Sequence, residues 1–208
     1  MNHSECMPRW DDREEVACEL DEQARYYQAA GFHHALDIEK SVFRDRIMRL
    51  AAAQPEGYRK KFTTPVVVFG PRSGISIFEQ CARAGVRVYH DLSGVSHTCP
   101  KGMYLTWMQD GSRPVFSREN GDYQFASHER GATVYDAVAW VLTHEDVNAV
   151  LADHYINLPG TKFGPHCVAR LGRRNRKVDW SQSLSIGLTS PYAMKQSDHA
   201  YGTATCGM

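Results

Sequence analysis

Histidines and cysteines are the residues of this 208-residue chain that are best suited to chemistry. Four of them lie in two short segments and form our candidate catalytic set: His97, Cys99, His166 and Cys167. A cysteine beside a histidine can act as a nucleophile with its base, and the same two side chains are good zinc ligands. Folding could bring further members to this set, namely His90, Asp91, His199 and Cys206.

The spacing of these residues argues against a standard zinc centre. No two cysteines are spaced Cys-x-x-Cys, and His144-Glu145 is followed by Asp146-Val147-Asn148, so there is no His-Glu-x-x-His motif. Free cysteine commonly behaves as a small buried apolar residue, so core thiols with surface imidazoles are the ordinary explanation. The sequence therefore assigns no metal and no cofactor.

A second candidate is the turn at residues 70–74, which lies between a predicted strand and a predicted helix. N–H groups at the start of a helix attract phosphate or carboxylate, and Arg72 and Ser73 would add donors as anion-binding residues. The motif matches neither the P-loop nor the dinucleotide fingerprint. A purely structural turn is the competing interpretation.

The third candidate is the basic run at residues 170–177, with Arg174 as a possible ligand-binding residue. Clustered guanidinium groups bind phosphate, and Trp180 could stack on a base. Gly172 and Asn175 instead favour a solvated hairpin turn. Because 24 Lys plus Arg balance 24 Asp plus Glu, the net charge is zero, which disfavours a nucleic-acid partner without removing it as an alternative.

Other patterns indicate structure more than chemistry. Residues 94–98 lack the second glycine of a Gly-x-Ser-x-Gly elbow. The carboxylates of Glu129 and Asp136, like those of Glu119 and Asp122, have no special spacing, so we expect solvated charges. An aromatic stripe in the N-terminal region is expected in the core: Tyr26, Tyr27, Phe32 and Phe43.

Apolar residues at helical spacing predict two N-terminal helices. The first covers residues 12–30, and the second covers residues 38–53 with Asp37 as its N-cap. Together they predict a helical hairpin domain over residues 1–59. The hairpin either packs on the rest of the chain or mediates self-association, so a homodimer through these helices is one expectation.

A change of composition near residue 60 predicts a second domain over residues 60–208. Strands are predicted at 65–69, 86–89, 103–108, 167–171, 178–181 and 184–188. Helices are predicted at 75–84, at 134–142 after the cap Thr133, and from 146 to 155, with a loop at 157–165. We therefore expect an α+β fold, in which helices pack on a twisted mixed sheet after the N-terminal hairpin.

The remaining composition bears on the compartment. No apolar run approaches the roughly 18 residues of a membrane-spanning helix, and the N-terminus lacks the pattern of a secretory signal. Six scattered cysteines in a chain of this size favour free thiols. These observations predict a cytoplasmic protein without a membrane partner.

Several segments, taken in order, resemble a largely actinobacterial family known as domain of unknown function 5701. They are PVVVF at 65–69, YLTWMQDG at 104–111, TVYDA at 133–137 with LTH at 142–144, RRNRKV at 173–178 with Trp180 and Ser181, and DHAYGTA at 198–204. The resemblance spans about residues 60–206 and implies a cytosolic domain of helices and sheet, without a reaction or active residues. Tyr192, Ala193 and Met194 replace the tryptophan-rich stretch of that family.

Two functions follow from these candidates. The favoured one is a bacterial small-molecule enzyme or ligand-binding protein, with secondary metabolism as one setting and a pocket near residues 89–99 and the C-terminal strands. The alternative is a non-catalytic module that binds a protein or nucleic acid through residues 1–56 or residues 170–177. The first predicts a perturbed histidine or cysteine, and the second an exposed apolar face on the first helices or a phosphate-binding patch.

Overall fold

The computed structural model describes residues 13–52, 64–108, 129–145, 151, 155–164, 167–176, 179–189, 201–203 and 205–207. The helices are α1 (Arg13–Ala29), α2 (Phe32–Ala35), α3 (Lys40–Ala52), α4 (Ile77–Arg83) and α5 (Val134–Thr143). The strands are β1 (Thr64–Phe69), β2 (Arg87–Val88), β3 (Ser96–His97), β4 (Met103–Met108), β5 (Glu129–Gly131), β6 (Tyr155–Phe163), β7 (Cys167–Arg176), β8 (Asp179–Thr189), β9 (Tyr201–Thr203) and β10 (Thr205–Gly207). The fold is α+β, as predicted.

The strands form two sheets. Sheet A has the order β1-β4-β10-β5, and all its pairs are antiparallel. Sheet B is mixed and has the order β2-β8-β7-β6-β3, with β9 also beside β6. The strand β6 accommodates both partners along one edge, because β9 pairs with residues 155–157 and β3 pairs with residues 161–162.

Helix α5 connects the two sheets and carries much of the core. It contacts β1 of sheet A and both β6 and β7 of sheet B. Val134, Val138 and Trp140 are almost completely buried, in line with the helical spacing that predicted this element. The predicted cap is confirmed, because Thr133 accepts from the N–H of Asp136 and the Asp136 carboxylate accepts from the N–H of Thr133. This capping box fixes the first turn of α5.

The N-terminal helices pack on sheet A. α1 contacts α3, β1 and α5, and the apolar residues that predicted it belong to the same buried cluster as Val66 and Trp140. Those residues are Val16, Leu20, Ala24 and Tyr27. Of the predicted aromatic stripe, Tyr27, Phe32 and Phe43 are buried and Tyr26 is half-buried. The apolar face of α1 is therefore used within the chain, whereas Val42 of α3 is 44% exposed.

Several predicted boundaries are wrong. Asp37 is not the N-cap of a helix: it lies in a turn at φ 51°, and α3 begins at Lys40. Residues 157–163 are strand rather than loop, and Tyr155 begins β6 rather than ending a helix. Pro159 and Gly160 in mid-strand hide the alternating pattern, because the pairing of β6 with β7 shifts register between Leu158 and Lys162.

The basic run is also placed differently from its prediction as a turn. Residues 170–176 lie within β7, which pairs with β8 from Val168 and Thr189 to Arg176 and Asp179. The two predicted strands at 178–181 and 184–188 are parts of the single strand β8. Arg176 of β7 pairs directly with Asp179 of β8, and residues 177–178 lie outside the described residues.

None of the helices in the described part of the chain combines the length and apolar character needed to cross a bilayer.

Candidate functional site

The candidate site lies where the segment after β3 meets the first turn of α5. β3 pairs with β6, so that His97 lies opposite Thr161. The N–H of Thr98 donates to the carbonyl of Gly160 at 2.9 Å and continues this alignment. Cys99 follows in this segment and lies near Thr133 and Tyr104, whose side chains affect its pKa.

Beneath Cys99 lies a buried ion pair. The guanidinium of Arg130 donates from both terminal nitrogens to the two carboxylate oxygens of Asp136, each at 2.7 Å. Asp136 is fully buried and Arg130 is 7% exposed. Burial raises the pKa of Asp136, but Arg130 and the hydrogen bonds from Thr133 outweigh it and hold the pKa below its ordinary value. The carboxylate is therefore charged at neutral pH.

Asp136 also accepts both nearby hydroxyl protons. Tyr104 Oη donates to Oδ1 and Thr133 Oγ1 donates to Oδ2, each at 2.7 Å. The backbone N–H of Thr133 donates to Oδ2 as well, at 2.7 Å. Strands β4 and β5 of sheet A and the first turn of α5 are thus joined by one network in which the carboxylate of Asp136 is fully used as an acceptor.

This network determines the protonation of Cys99. Because Tyr104 and Thr133 give their protons to Asp136, they present lone pairs to Cys99, and a thiol S–H can donate to them whereas a thiolate cannot. Burial raises the pKa of Cys99, and the negative charge of Asp136 raises it further, while Thr133, Tyr104 and Arg130 oppose this only in part. Cys99 is consequently a neutral thiol at rest and not an activated nucleophile.

His97 forms the second half of the site. Its Nδ1 lies 3.0 Å from Thr161 Oγ1, and its ring meets the edge of Tyr135 with centroids 5.0 Å apart. Burial lowers the pKa of His97, and the charge of Asp136 opposes this only in part. The imidazole is therefore neutral near pH 7. No hydrogen bond to its Nε2 comes from a residue in the described part of the chain.

The turn at residues 70–74 lies next to this site. The N–H of Gly70 donates to the carbonyl of Gly102 at 3.0 Å, and the N–H of Arg72 donates to the carbonyl of Lys101. The N–H of Ser73 donates to Gly70 within the turn, so the N–H groups of Arg72 and Ser73 are used in main-chain bonds. The side chain of Arg72 is exposed, and Ser73 Oγ is buried without a partner among the described residues. The turn is thus joined to residues 101–102, which follow Cys99 along the chain.

The other predicted site residues lie elsewhere. Cys167 is half-buried at the start of β7, opposite Phe163. Arg174 is placed by its backbone in β7, opposite Ser183. His166 and His199 lie outside the described residues. Within the described ranges, no three His, Cys, Asp or Glu side chains are arranged to hold a metal ion.

The expectation of solvated carboxylates at residues 129 and 136 is wrong. Glu129 is 9% exposed and Asp136 is completely buried. Sequence reasoning did find Thr133 as the cap of α5, but it missed the reciprocal role of Asp136. It also missed the partners Arg130 and Tyr104 and the contact with Thr161. The available signal was Arg130 preceding that cap, since a buried capping carboxylate requires a nearby cation.

Comparison with known proteins gives no relative: no family model, curated protein or solved structure matches the chain.

Proposed function

We propose that this chain binds a small molecule at the site formed by His97 and Cys99. The observation that carries the proposal is that both half-buried side chains lie beside ordered hydrogen bonds. Cys99 lies near Tyr104 and Thr133, which both donate to Asp136, and His97 lies beside the hydroxyl of Thr161. Binding sites require such a supporting layer, because it holds the contacting groups in one geometry before the ligand arrives. The site borders the 89–99 segment in which the sequence predicted a pocket.

The protonation states narrow the chemistry of the proposal. A neutral thiol beside a neutral imidazole suits hydrogen bonding to a ligand better than attack by a resting thiolate. If a reaction occurs, His97 or another base must first remove the proton from Cys99. Non-covalent recognition is therefore the primary role that we assign, with an enzymatic role for Cys99 dependent on such a step.

The interaction-module alternative gains no specific support. Its first surface, the apolar stripe of α1, is buried against β1 and α5. Its second surface, the basic run, lies in a paired strand of sheet B. The family resemblance stays a prediction, and it does not discriminate between the two functions.

Two measurements test the proposal. Native mass spectrometry of the full chain, purified without chelator, detects a retained small molecule. Thermal shifts detect binding of compounds from a fixed panel of carboxylic acids, amides and ketones. His97→Gln should lose any retained mass and weaken each hit at least tenfold, because it removes the imidazole from the site. His90→Gln is the matched control, since His90 is an exposed imidazole seven positions away along the same segment. Equal binding by both variants would contradict the proposal.

A further inference from the structure

Thr161 is in an unusual position to control His97. Its side chain is completely buried on β6, opposite His97 of β3. Its Oγ1 has two hydrogen-bonding partners: the backbone N–H of Val134 at 3.0 Å and His97 Nδ1 at 3.0 Å. The hydroxyl therefore joins the first turn of α5 to the imidazole.

The donors and acceptors at Thr161 can be assigned. Val134 N–H can only donate, so Thr161 Oγ1 accepts from it. The hydroxyl also carries one proton that needs an acceptor, and complete burial excludes bulk solvent. Among the described residues, His97 Nδ1 is the remaining partner of Thr161 Oγ1, so we assign it as the acceptor of this proton. A neutral imidazole whose Nδ1 accepts has its own proton on Nε2.

We propose that Thr161 is a positioning residue that holds His97 as the Nε2–H tautomer, so that the site recognises an acceptor oxygen of its ligand, of the carbonyl or carboxylate type. The statement about the ligand rests on the proposed function, whereas the statement about the tautomer concerns the protein alone. A fixed Nε2–H is a donor that is already oriented, which lowers the cost of binding an acceptor. A ligand that offers only hydrogen-bond donors could not pair with the Nε2–H, because that group also donates.

The tautomer is tested without any ligand, by long-range ¹H–¹⁵N correlation spectra of the full chain labelled at histidine nitrogens. Subtraction of the His97→Gln spectrum assigns the His97 signals. We expect a pyridine-like Nδ1 and a pyrrole-like Nε2 at pH 7.5. Thr161→Ser should keep this pattern, because serine retains the hydroxyl, and Thr161→Val should lose it. Thr98→Val is the matched control, since Thr98 Oγ1 donates to the Gly160 carbonyl rather than to a histidine.

A pyrrole-like Nδ1 in the unmodified chain would overturn the inference, and so would an unchanged pattern in Thr161→Val. If Thr161→Val does not fold, the spectra of the unmodified chain and of Thr161→Ser still decide the question. The ligand class is tested by titrating sodium acetate and methylammonium chloride against equal sodium chloride. Acetate alone should move the His97 signals. The expected tautomer with no response to acetate would overturn the ligand class but not the role of Thr161, and the proposed function is decided separately by the compound panel with His97→Gln.

Discussion

The side-chain amide of Gln23 in α1 hydrogen-bonds to the main chain of β1 at Val67, in the way that a neighbouring strand would. Gln23 Oε1 accepts from the Val67 N–H at 2.9 Å, and Nε2 donates to the Pro65 carbonyl at 2.7 Å. Tyr27 Oη donates to the Val67 carbonyl. In the described part of sheet A, β1 has β4 as its neighbour on one side, so these side chains satisfy its opposite edge.

The first prediction concerns this edge. Gln23→Leu should lower the free energy of unfolding by about 2–4 kcal/mol, because it leaves the buried Val67 N–H and Pro65 carbonyl without partners. Urea denaturation of both proteins measures the difference. Gln28→Ala is the control on the same helix: its bond to the Lys40 carbonyl is exposed, and we expect a change below about 0.5 kcal/mol. If Gln23→Leu and Gln28→Ala lower the free energy of unfolding equally, the loss reflects helix propensity and not the contacts with β1.

Asp136→Asn should be among the most destabilising single substitutions. It leaves the buried guanidinium of Arg130 without its counter-charge, which costs about 3–5 kcal/mol. A double variant, Arg130→Met with Asp136→Leu, should recover part of this loss, since two apolar side chains leave no unpaired charge. Chemical denaturation checks both expectations. The expectations are contradicted if the double variant loses more stability than Arg130→Met and Asp136→Leu lose together as single substitutions.

Alkylation rates should rank the cysteines by the environments described here. At pH 7.5, iodoacetamide should modify the exposed Cys18 fastest, Cys99 more slowly, and Cys81 slowest. Burial raises the pKa of Cys99, and it raises the pKa of Cys81 to about 12. Peptide mass spectrometry over time gives each rate. Faster modification of Cys99 than of Cys18 would indicate a thiolate and would reverse our assignment of its protonation.

His33 should make the fold sensitive to acid. It is 3% exposed, and neither ring nitrogen has a partner among the described residues. Burial lowers its pKa, and the nearby His34 and Lys40 lower it further. The unfolded chain therefore binds this proton more readily, so the stability contributed by neutral His33 is present above the ordinary pKa of about 6.5 and declines as pH falls below it.

His33→Phe removes the titrating group while keeping an aromatic ring near Phe43, whose centroid lies 6.3 Å from that of His33. Melting temperatures between pH 7.5 and 5 should then fall less steeply for this variant than for the unmodified chain. His90→Gln, which changes an exposed imidazole, should retain the original slope. The prediction is lost if the unmodified chain and His33→Phe have parallel profiles.

Gly160 should tolerate no side chain. A Cβ at this position would lie 2.2 Å from the carbonyl oxygen of Gly131, which is backbone and cannot rotate away. Gly160→Ala should therefore lower the free energy of unfolding by about 1–3 kcal/mol. It should also move β6 away from Gly131 and from the start of α5. Gly102→Ala is the control, because nothing lies within 4 Å of a Cβ there. Thermal unfolding of both variants distinguishes a local clash from a general effect of replacing glycine.

The sequence predicted best where one local pattern determines the structure. The β-branched run of β1 and the first turn of α5, with Thr133 as its cap, were both found in this way. β6 was missed because Pro159 and Gly160 interrupt its alternation, and their reason lies in the distant backbone of Gly131. The spacing of residues that are close in sequence carries no information about this distant contact.

The same distinction applies to the site. His97 and Cys99 were candidates by residue type alone, and the structure assigns both to one location. Thr161 was not a candidate, because its contact with His97 joins residues 64 positions apart. Asp136 was misjudged, since the Arg130 and Tyr104 contacts that make its burial possible depend on the pairing of strands.

The position of β10 has a consequence for synthesis on the ribosome. This strand comprises residues 205–207, yet it lies between β4 and β5, which end at residues 108 and 131. In the part of the chain that the structure describes, the facing edges of β4 and β5 pair with β10, so they gain this partner only after residue 207 has left the exit tunnel. Unpaired edges of this kind promote association between incomplete chains. Yield in the cell should therefore depend on chaperones that act on nascent polypeptides.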